Sequence, residues 1–395
     1  MLEIDDIQHF LLERPPARAA RYEFLTFVTP EAGRAWLAEM VDNVSSGRAV
    51  RDDSSSSRTR WMTVAFTWRG LGALGIEAAA LATFPDEFRQ GMAARAPIIG
   101  ATGANHPDNW SGGLADPALH AIVILFARDA AERDRWKEAH ARLIAMSRGV
   151  HVLSSLDLDA ISHEAREHFG YRDRLSEVPI EDTGIDPTPG SGPPIKAGEF
   201  FLGYADETGT CPTLPQPERL TRNGSYLAYV RLQEHVGVFR DFLRQHCRTR
   251  EEQELLAAKM MGRWRSGAPL VLAPHQDEPE LGADMQRNND FDYGKMDPYG
   301  YGCPVGAHIR RMNPRDTAES VERHRMIRRG ATYGPALPEG APDDGVERGI
   351  AAFLGCASLV RQFEFAMNVW VNDPNFKDLG TSEIRSSVPR TARSI

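Results

Sequence analysis

The sequence is short of the residues that build metal knuckles and membrane spans. Its 395 residues include four cysteines, and no two of them form a CxxC pair, so neither a structural zinc knuckle nor a thioredoxin-type motif is expected. Four scattered thiols are typical of a reducing compartment, with two disulfides as the open alternative. No stretch approaches the ~20 consecutive apolar residues of a membrane span, so we expect no membrane partner.

Basic charge is also scarce, because 46 lysines and arginines face 55 acidic residues and the formal net charge is −9. An acidic chain repels phosphate backbones, so nucleic acid is not an expected partner. The opening stretch MLEIDDIQHFLLERPP has acidic residues where a signal peptide has basic ones, and its apolar run is too short. Cytoplasm is therefore the expected location.

The first 160 residues alternate between two hydrophobic patterns. Stretches rich in aromatic and β-branched residues predict strands, and apolar residues at helical spacing predict helices between them. The predicted strands are 22–29, 62–68, 118–126 and 150–158, and the predicted helices are 30–44 and 130–146. The resulting order, strand–helix–strand–strand–helix–strand, is the split βαβ or ferredoxin-like plan.

The second half repeats this rhythm after a stretch, 177–198, that is too rich in proline and glycine for a helix or a central strand. Its predicted strands are 225–233, 326–333 and 350–356, and its predicted helices are 235–245, 250–264 and 358–371. We expect an α+β fold of two ferredoxin-like halves, residues 1–176 and 199–395, with antiparallel sheets, peripheral helices and 177–198 as the linker. The irregular segment 267–309 is too long for an ordinary connection, which indicates contact with a cofactor.

One histidine stands in a context suited to a planar cofactor. Small residues precede His308, among them Gly306 and Ala307, and they allow a bulky flat group to approach the backbone. Arginines follow it, as required to neutralise the propionates of a haem bound through a neutral imidazole. These residues alone still favour a simpler interpretation, a buried histidine beside a surface arginine cluster. The rival iron ligands Cys303 and Cys356 lack a thiolate-loop pattern and are expected to be small buried residues.

The stretch around His308 is one of a series of segments that extends over nearly the whole chain. The segments are FRQGMAAR (88–95), PDNWSGG (107–113), FGYRDRLS (169–176), AGEFFLGYADETG (197–209), NGSYLAYVRLQEHV (223–236), AAKMMGRWRSGAPL (257–270), NDFDYGKMDPYGYGCPVGAHIRRMNPRD (289–316), MIRRGATYGP (326–335) and RQFEFAMNVW (361–370). In this order they resemble the dye-decolourising peroxidases, especially the longer subclass. The resemblance implies two ferredoxin-like halves, one haem b per chain, and a peroxidase that uses hydrogen peroxide to oxidise organic donors such as dyes and phenolics by one-electron steps.

The resemblance also implies an iron ligand and its partner. The histidine of the family's A-H-I-R stretch is the proximal ligand, and that position is His308. Its second ring nitrogen is expected to donate to an acceptor that makes the ligand more basic. Glu364 is the candidate acceptor and Asp373 is the alternative.

The groups that act on peroxide follow from two other motifs. The family's distal acid is the aspartate of a G-x-x-D-G motif, which corresponds to Asp173, whereas the final glycine is replaced by Arg174. This replacement puts the local loop path in doubt and offers a guanidinium that is free to approach a haem propionate. The family's distal arginine corresponds to Arg329, with the neighbouring Arg328 as the alternative.

The remaining expected contacts surround the cofactor. Arg315, in the N-P-R stretch, resembles the family's propionate partner, and Ser176 is expected to add a hydrogen bond. Phe353 and Leu354 are expected to wall the distal pocket, with plain core packing as the alternative. The family often passes electrons from bulky donors through surface aromatic residues, for which the candidates are Trp264, Trp370, Tyr299 and Tyr301.

Two other functions stay open at this point. The substitution at Arg174 leaves room for a haem-binding protein that serves storage, transport or sensing with little peroxidase activity. A scaffold that binds no haem is the third interpretation. No motif identifies the natural electron donor or decides whether the chain forms a homo-oligomer.

Overall fold

Two antiparallel sheets, one from each half of the chain, form the framework. The computed structural model describes residues 2–47, 58–158 and 166–381. The first sheet consists of β1 (Ala19–Phe27), β2 (Arg60–Phe66), β3 (Ala121–Ala127) and β4 (Val150–Leu158). Its spatial order is β2-β3-β1-β4, with every neighbouring pair antiparallel. This arrangement confirms the ferredoxin-like plan expected for the first half.

The second sheet consists of β5 (Tyr226–Gln233), β6 (Ile327–Tyr333) and β7 (Gly349–Cys356). Its order is β5-β7-β6, so β7 is the central strand and pairs antiparallel with both neighbours. Within the described residues this sheet has three strands, which match the first three strands of the ferredoxin-like plan. The protein is therefore an α+β protein built on antiparallel sheets, as the sequence predicts.

Helices begin where the sequence supplies capping groups. Thr29 accepts a hydrogen bond from the Ala32 amide at 3.2 Å, Asp129 accepts one from the Glu132 amide, and Thr249 forms a capping box. The α-helices of the described residues are α1 His9–Leu12, α2 Pro30–Met40, α3 Trp68–Ala73, α4 Ala78–Leu81, α5 Asp86–Gln90, α6 Ala130–Met146, α7 Glu218–Thr221, α8 Val236–His246, α9 Arg250–Met261, α10 Pro279–Ala283, α11 Tyr293–Met296 and α12 His308–Met312. The predicted closing helix forms as two π-helical segments, Leu359–Glu364 and Ala366–Val371.

A shared aromatic core joins the two sheets. Tyr22 of β1 and Phe353 of β7 are both fully buried, with ring centroids 5.1 Å apart, and Phe10 of α1 packs edge-on against Phe353 at 5.6 Å. Ile180 and Ile195, from the proline-rich stretch, enter the same core and form a bridge with each other. The linker is therefore packed against both halves. The boundaries at 176 and 199 remain a prediction.

Two further observations concern the state of the cysteines and the length of the helices. All four cysteines lie within the described residues and are free thiols, with Cys303 and Cys356 buried. Across the described ranges, no helix has both the length and the apolar character needed to cross a bilayer.

Candidate haem site

Two cavities meet beside His308. The larger one encloses about 1870 Å³ and the smaller one about 340 Å³. His308, Asp173 and Arg328 line both of them, so the three residues lie where the two spaces join. Cofactor and ligand sites usually enclose ~300–1,000 Å³. The combined space therefore accommodates a tetrapyrrole.

His308 is the first residue of α12, and Ala307 before it is in an extended conformation that turns the chain into the helix. The residue retains accessible surface although protein atoms surround it, because that surface faces the cavities. Burial, together with the nearby charge of Arg328, lowers the pKa of His308 to about 4. The imidazole is therefore neutral near pH 7, which is the form that binds a metal ion.

Glu364 has a different partner from the one expected. Arg95, from the first half of the chain, binds both of its carboxylate oxygens, with Arg95 Nη2 2.6 Å from Oε2. Asp373, the alternative, accepts from the Asn375 amide through its carboxylate and from Arg311 through its backbone carbonyl. No described residue forms a hydrogen bond with the His308 ring. The assignment of Glu364 as the acceptor for His308 is therefore withdrawn.

Asp173 projects from a tight loop that closes with a bridge between Arg166 and Arg172. The backbone has positive φ on both sides of the aspartate, with 97° at Gly170 and 63° at Arg174. Arg174 thus adopts the left-handed geometry that suits the family's glycine, at a cost of ~1–2 kcal/mol. The substitution therefore places a side chain at a position whose backbone geometry suits glycine. The Asp173 carboxylate is exposed to the cavities and makes no hydrogen bond or ion pair within the described ranges.

The two candidate distal arginines have opposite surroundings. Arg328 borders both cavities and its Nη2 donates to the Ser176 carbonyl at 2.7 Å. Arg329 touches the larger cavity, but its nitrogens are already bound. Nε donates to the Phe10 carbonyl, Nη2 to the Leu12 carbonyl, and Nη1 pairs with a Glu177 carboxylate oxygen at 2.8 Å.

Adjacent residues of a strand face opposite sides of its sheet. Both arginines border the larger cavity that Asp173 and His308 also line, whereas of the two Arg328 alone also borders the smaller one. The sequence offered Arg328 as the alternative, and the choice between the two as the distal arginine stays a prediction.

The arginines that line the smaller cavity form no ion pair with a carboxylate among the described residues; they are Arg172, Arg174, Arg263, Arg315, Arg325 and Arg328. Arg315 lies over the Phe291 ring at 3.9 Å and donates to the Phe291 carbonyl and the Asn289 side chain. Arg325 makes no hydrogen bond or ion pair through its guanidinium, and burial lowers its pKa to about 9.

A buried cation without an anion is costly. The cavity therefore fits an anionic ligand, and the two propionates of a haem supply the missing charge. Arg325 was not predicted as a site residue, although the dense basic run RHRMIRR was a signal for it.

The two predicted pocket walls lie on opposite sides of β7. Phe353 packs in the aromatic core between the sheets and also borders the larger cavity, so its assignment to the distal wall stays a prediction. Leu354 lies opposite Arg328 in the sheet and borders the larger cavity. Ile350, on the same side of β7, borders both cavities and was missed. Ser176 borders both cavities and contributes its carbonyl to Arg328.

Other possible ligands for a metal ion have less support than His308. Within the described ranges, no group of three histidine, cysteine or acidic side chains is placed to hold a metal ion. Burial raises the pKa of Cys303 and of Cys356 to about 12. Both are therefore neutral thiols near pH 7, and the thiolate required for haem ligation is disfavoured.

Comparison with known proteins decides the family, although no family model matches the chain. The dye-decolorizing peroxidase of Mycena epipterygia is 31% identical, over 95% of this chain and 73% of that protein. Peroxidase 2 of Mycetinis scorodonius is 30% identical, over 95% of this chain and 74% of that protein. This chain belongs to the dye-decolourising peroxidase family.

Solved structures agree with this assignment of the peroxidase. An ancestral D-type dye-decolorizing peroxidase matches with a TM-score of 0.83 and 27% identity, covering 95% of this chain and 85% of that one. The enzyme from Auricularia auricula-judae matches with a TM-score of 0.82 and 26% identity over the same shares. The resemblance seen in the sequence and the α+β fold are thereby confirmed. Membership of the family implies a haem cofactor and favours an enzyme over the storage and scaffold alternatives.

Proposed function

We propose that this peroxidase binds one haem b per chain through His308 and uses hydrogen peroxide to oxidise dyes and phenolic compounds by one-electron steps. The observation that carries the proposal is the cavity in which a neutral imidazole, an unpartnered carboxylate and arginines without carboxylate partners are brought together. The relatives support the substrate class. Several are named dye-decolorizing peroxidases, and one neighbouring structure is a complex with 2,6-dimethoxyphenol.

Bound haem supplies the iron that exchanges electrons with peroxide and with the donor. His308 offers a neutral nitrogen from the start of α12. Arg315 and Arg325 would hold the propionates, since both residues border the smaller cavity and neither has a carboxylate partner in the described chain. These contacts orient the cofactor and remove the cost of leaving the two cations buried and unpaired.

Asp173 moves the proton that peroxide cleavage requires. Its carboxylate accepts the proton from one peroxide oxygen and returns it to the other, which leaves as water. General acid–base catalysis of this kind contributes ~10²–10⁴-fold. The absence of a competing partner for Asp173 among the described residues keeps the carboxylate free for this transfer.

Arg328 supplies a permanent positive charge on the same side. A guanidinium stays protonated at neutral pH and donates to the oxygen on which negative charge develops. Its anchor, the Ser176 carbonyl, lies three residues after Asp173 in the chain. The loop that carries the acid therefore also positions the arginine.

Donors too bulky to reach the haem require a route that carries their electrons inwards from the protein surface. Tyr299 and Tyr301 are 76% and 84% exposed, with ring centroids 5.8 Å apart. Trp264 and Trp370 are buried, and the Trp264 indole donates to the Ala273 carbonyl. We assign the tyrosine pair as the surface site for dyes and the two tryptophans to packing.

The cytoplasm is the proposed location, supported by the four free thiols. The proposed reactants are hydrogen peroxide and an organic donor, and the net charge of −9 disfavours nucleic acid.

Turnover of the purified holoprotein tests the function. With hydrogen peroxide and either 2,6-dimethoxyphenol or a synthetic dye, we expect oxidation that depends on both reactants. The Tyr299→Phe, Tyr301→Phe double variant is expected to keep its reaction with peroxide and to lose dye oxidation. A holoprotein that binds haem but turns over neither donor would contradict the proposal and favour storage or sensing.

A further inference from the structure

A pair of carboxyl groups lies beside Asp173 and has no part in the function proposed above. Glu167 borders both cavities, and Glu234, at the end of β5, is buried and borders the smaller one. The two side chains accept from the amides of consecutive residues, His168 and Phe169, so their carboxyl groups lie close together, and the charge of Glu167 raises the pKa of Glu234. An ionised carboxylate only accepts hydrogen bonds, so a bond between two carboxyl groups requires a proton on one of them.

The same two side chains bind the backbone of the turn that leads to Asp173. Glu167 Oε2 accepts from the Phe169 amide at 2.7 Å, and its Oε1 accepts from the Tyr171 amide at 2.5 Å. Glu234 Oε2 accepts from the His168 amide at 3.0 Å. Three amides between residues 168 and 171 are therefore held by two carboxyl groups, and the turn ends two residues before Asp173.

Charged groups around the pair shift the pKa values of the two carboxyl groups in opposite directions. Asp173 raises the pKa of both carboxyl groups, whereas Arg265 lowers that of Glu167. Arg265 itself pairs with Glu254 at 2.6 Å and donates to the Phe169 carbonyl.

The other charged and titratable groups nearby are engaged elsewhere. Arg166 donates to the Gly170 and Arg265 carbonyls. The His168 ring is hydrogen-bonded to the Tyr333 carbonyl. Arg348 binds Asp344, and Arg240 of α8 binds the Leu337 and Pro338 carbonyls.

Burial is the largest influence on the pKa of each carboxyl group. It raises the pKa of Glu167 to about 7 and, together with the charge of Glu167, that of Glu234 to about 9. Two carboxyl groups that are buried next to each other cannot both ionise without a large cost in free energy. One proton is therefore retained between the two groups across the neutral range.

We propose that Glu167 and Glu234 share one proton and act as positioning residues that hold the 168–171 turn, so that Asp173 points into the cavity. The inference rests on the acid–base role proposed for Asp173. Loss of the shared proton leaves two negative charges in contact, drives them apart and releases at least one of the three amides. A displacement of ~1 Å can slow a reaction ~10²-fold, so the reaction with peroxide declines at alkaline pH as the proton leaves.

Infrared spectroscopy of the holoprotein tests the shared proton without relying on activity. We expect the C=O stretch of a protonated carboxyl at about pH 7 that is lost as the pH rises past about 9. Glu234→Gln is expected to abolish this signal, whereas the control Glu138→Gln, an exposed glutamate of α6, keeps it. A wild-type spectrum without a protonated carboxyl, or an unchanged signal in Glu234→Gln, would overturn the pairing.

Stopped-flow reaction with peroxide tests the positioning role. Glutamine at 234 keeps an acceptor for the His168 amide and donates to Glu167 without titrating, so Glu234→Gln is expected to keep the neutral rate and lose the alkaline decline. Glu234→Ala is expected to react ~10²-fold more slowly at all pH values while still binding haem. A decline that persists in Glu234→Gln would overturn this role and leave Asp173 in place. Only a wild-type rate in Asp173→Asn would remove Asp173 itself.

Discussion

Arg328 and Arg329 are neighbours on β6, yet their guanidinium groups lie on opposite sides of the sheet. Arg328 is anchored to the Ser176 carbonyl at 2.7 Å beside the cavity that His308 lines. Arg329 pairs with Glu177 and binds two carbonyls of the segment around α1. We therefore propose that Arg328 takes part in the reaction with peroxide and that Arg329 joins the two halves of the protein.

Substitution of these two arginines by leucine should separate the roles. Arg328→Leu should slow the reaction with peroxide ~10²–10³-fold, since it removes a donor that stabilises developing charge. Arg329→Leu should lower the free energy of unfolding by ~1–3 kcal/mol, because buried acceptors lose their donors. Stopped-flow absorbance and urea unfolding measure the two effects. The reverse pattern would restore Arg329 as the distal residue.

Asp173→Asn should slow the reaction with peroxide ~10²–10⁴-fold, because asparagine cannot relay a proton. Haem content and spectrum should stay unchanged, since Asp173 makes no contact within the described ranges that holds the fold. Asp241→Asn on α8, where the aspartate pairs with Arg244 in solvent, is the matched control and should react like the wild type. Equal rates in the two variants would exclude Asp173 from the proton transfer.

Arg325→Gln should raise the stability of the haem-free protein and lower its affinity for haem. The haem-free protein should become more stable, because a buried cation with no partner in the described structure is removed. Haem affinity should fall roughly tenfold to 100-fold, as expected for a lost hydrogen bond to a charged group of ~1.5–3 kcal/mol. Urea unfolding and haem titration test both, with the exposed Arg244→Gln as control. Unchanged haem affinity would place the propionates elsewhere.

Arg174→Gly should relieve the strain of the left-handed backbone at position 174, where φ is 63°. Arg174→Ala removes the same side chain but keeps the left-handed strain, so the glycine variant should unfold with a free energy ~1 kcal/mol above that of the alanine variant. Urea unfolding of the two variants side by side gives the comparison. Equal stability would mean that the loop relaxes, in which case position 174 does not constrain Asp173.

Local signals in the sequence predict the elements well. The helix at 130–146 forms with the predicted bounds, because Asp129 caps its first turn. The strand at 150–158 also forms as predicted. Such signals depend on neighbouring residues, which is why pattern and propensity recover them.

Strand faces and distant partners are harder to predict. The choice between Arg328 and Arg329, and that between Phe353 and Leu354, are choices between the two sides of a sheet, and neither side of β6 or β7 is marked by a clean polar alternation. Glu364 pairs with Arg95, which is 269 residues away in the chain. Only the folded structure brings these two side chains together.

Haem titration of the haem-free protein, followed by the Soret absorbance, tests the central claim most directly. The wild type should bind one equivalent with the spectrum of a histidine-ligated haem. His308→Ala should bind weakly or not at all and should recover binding when free imidazole is added, since the cavity beside α12 stays in place. A wild-type spectrum in His308→Ala without imidazole would contradict the account.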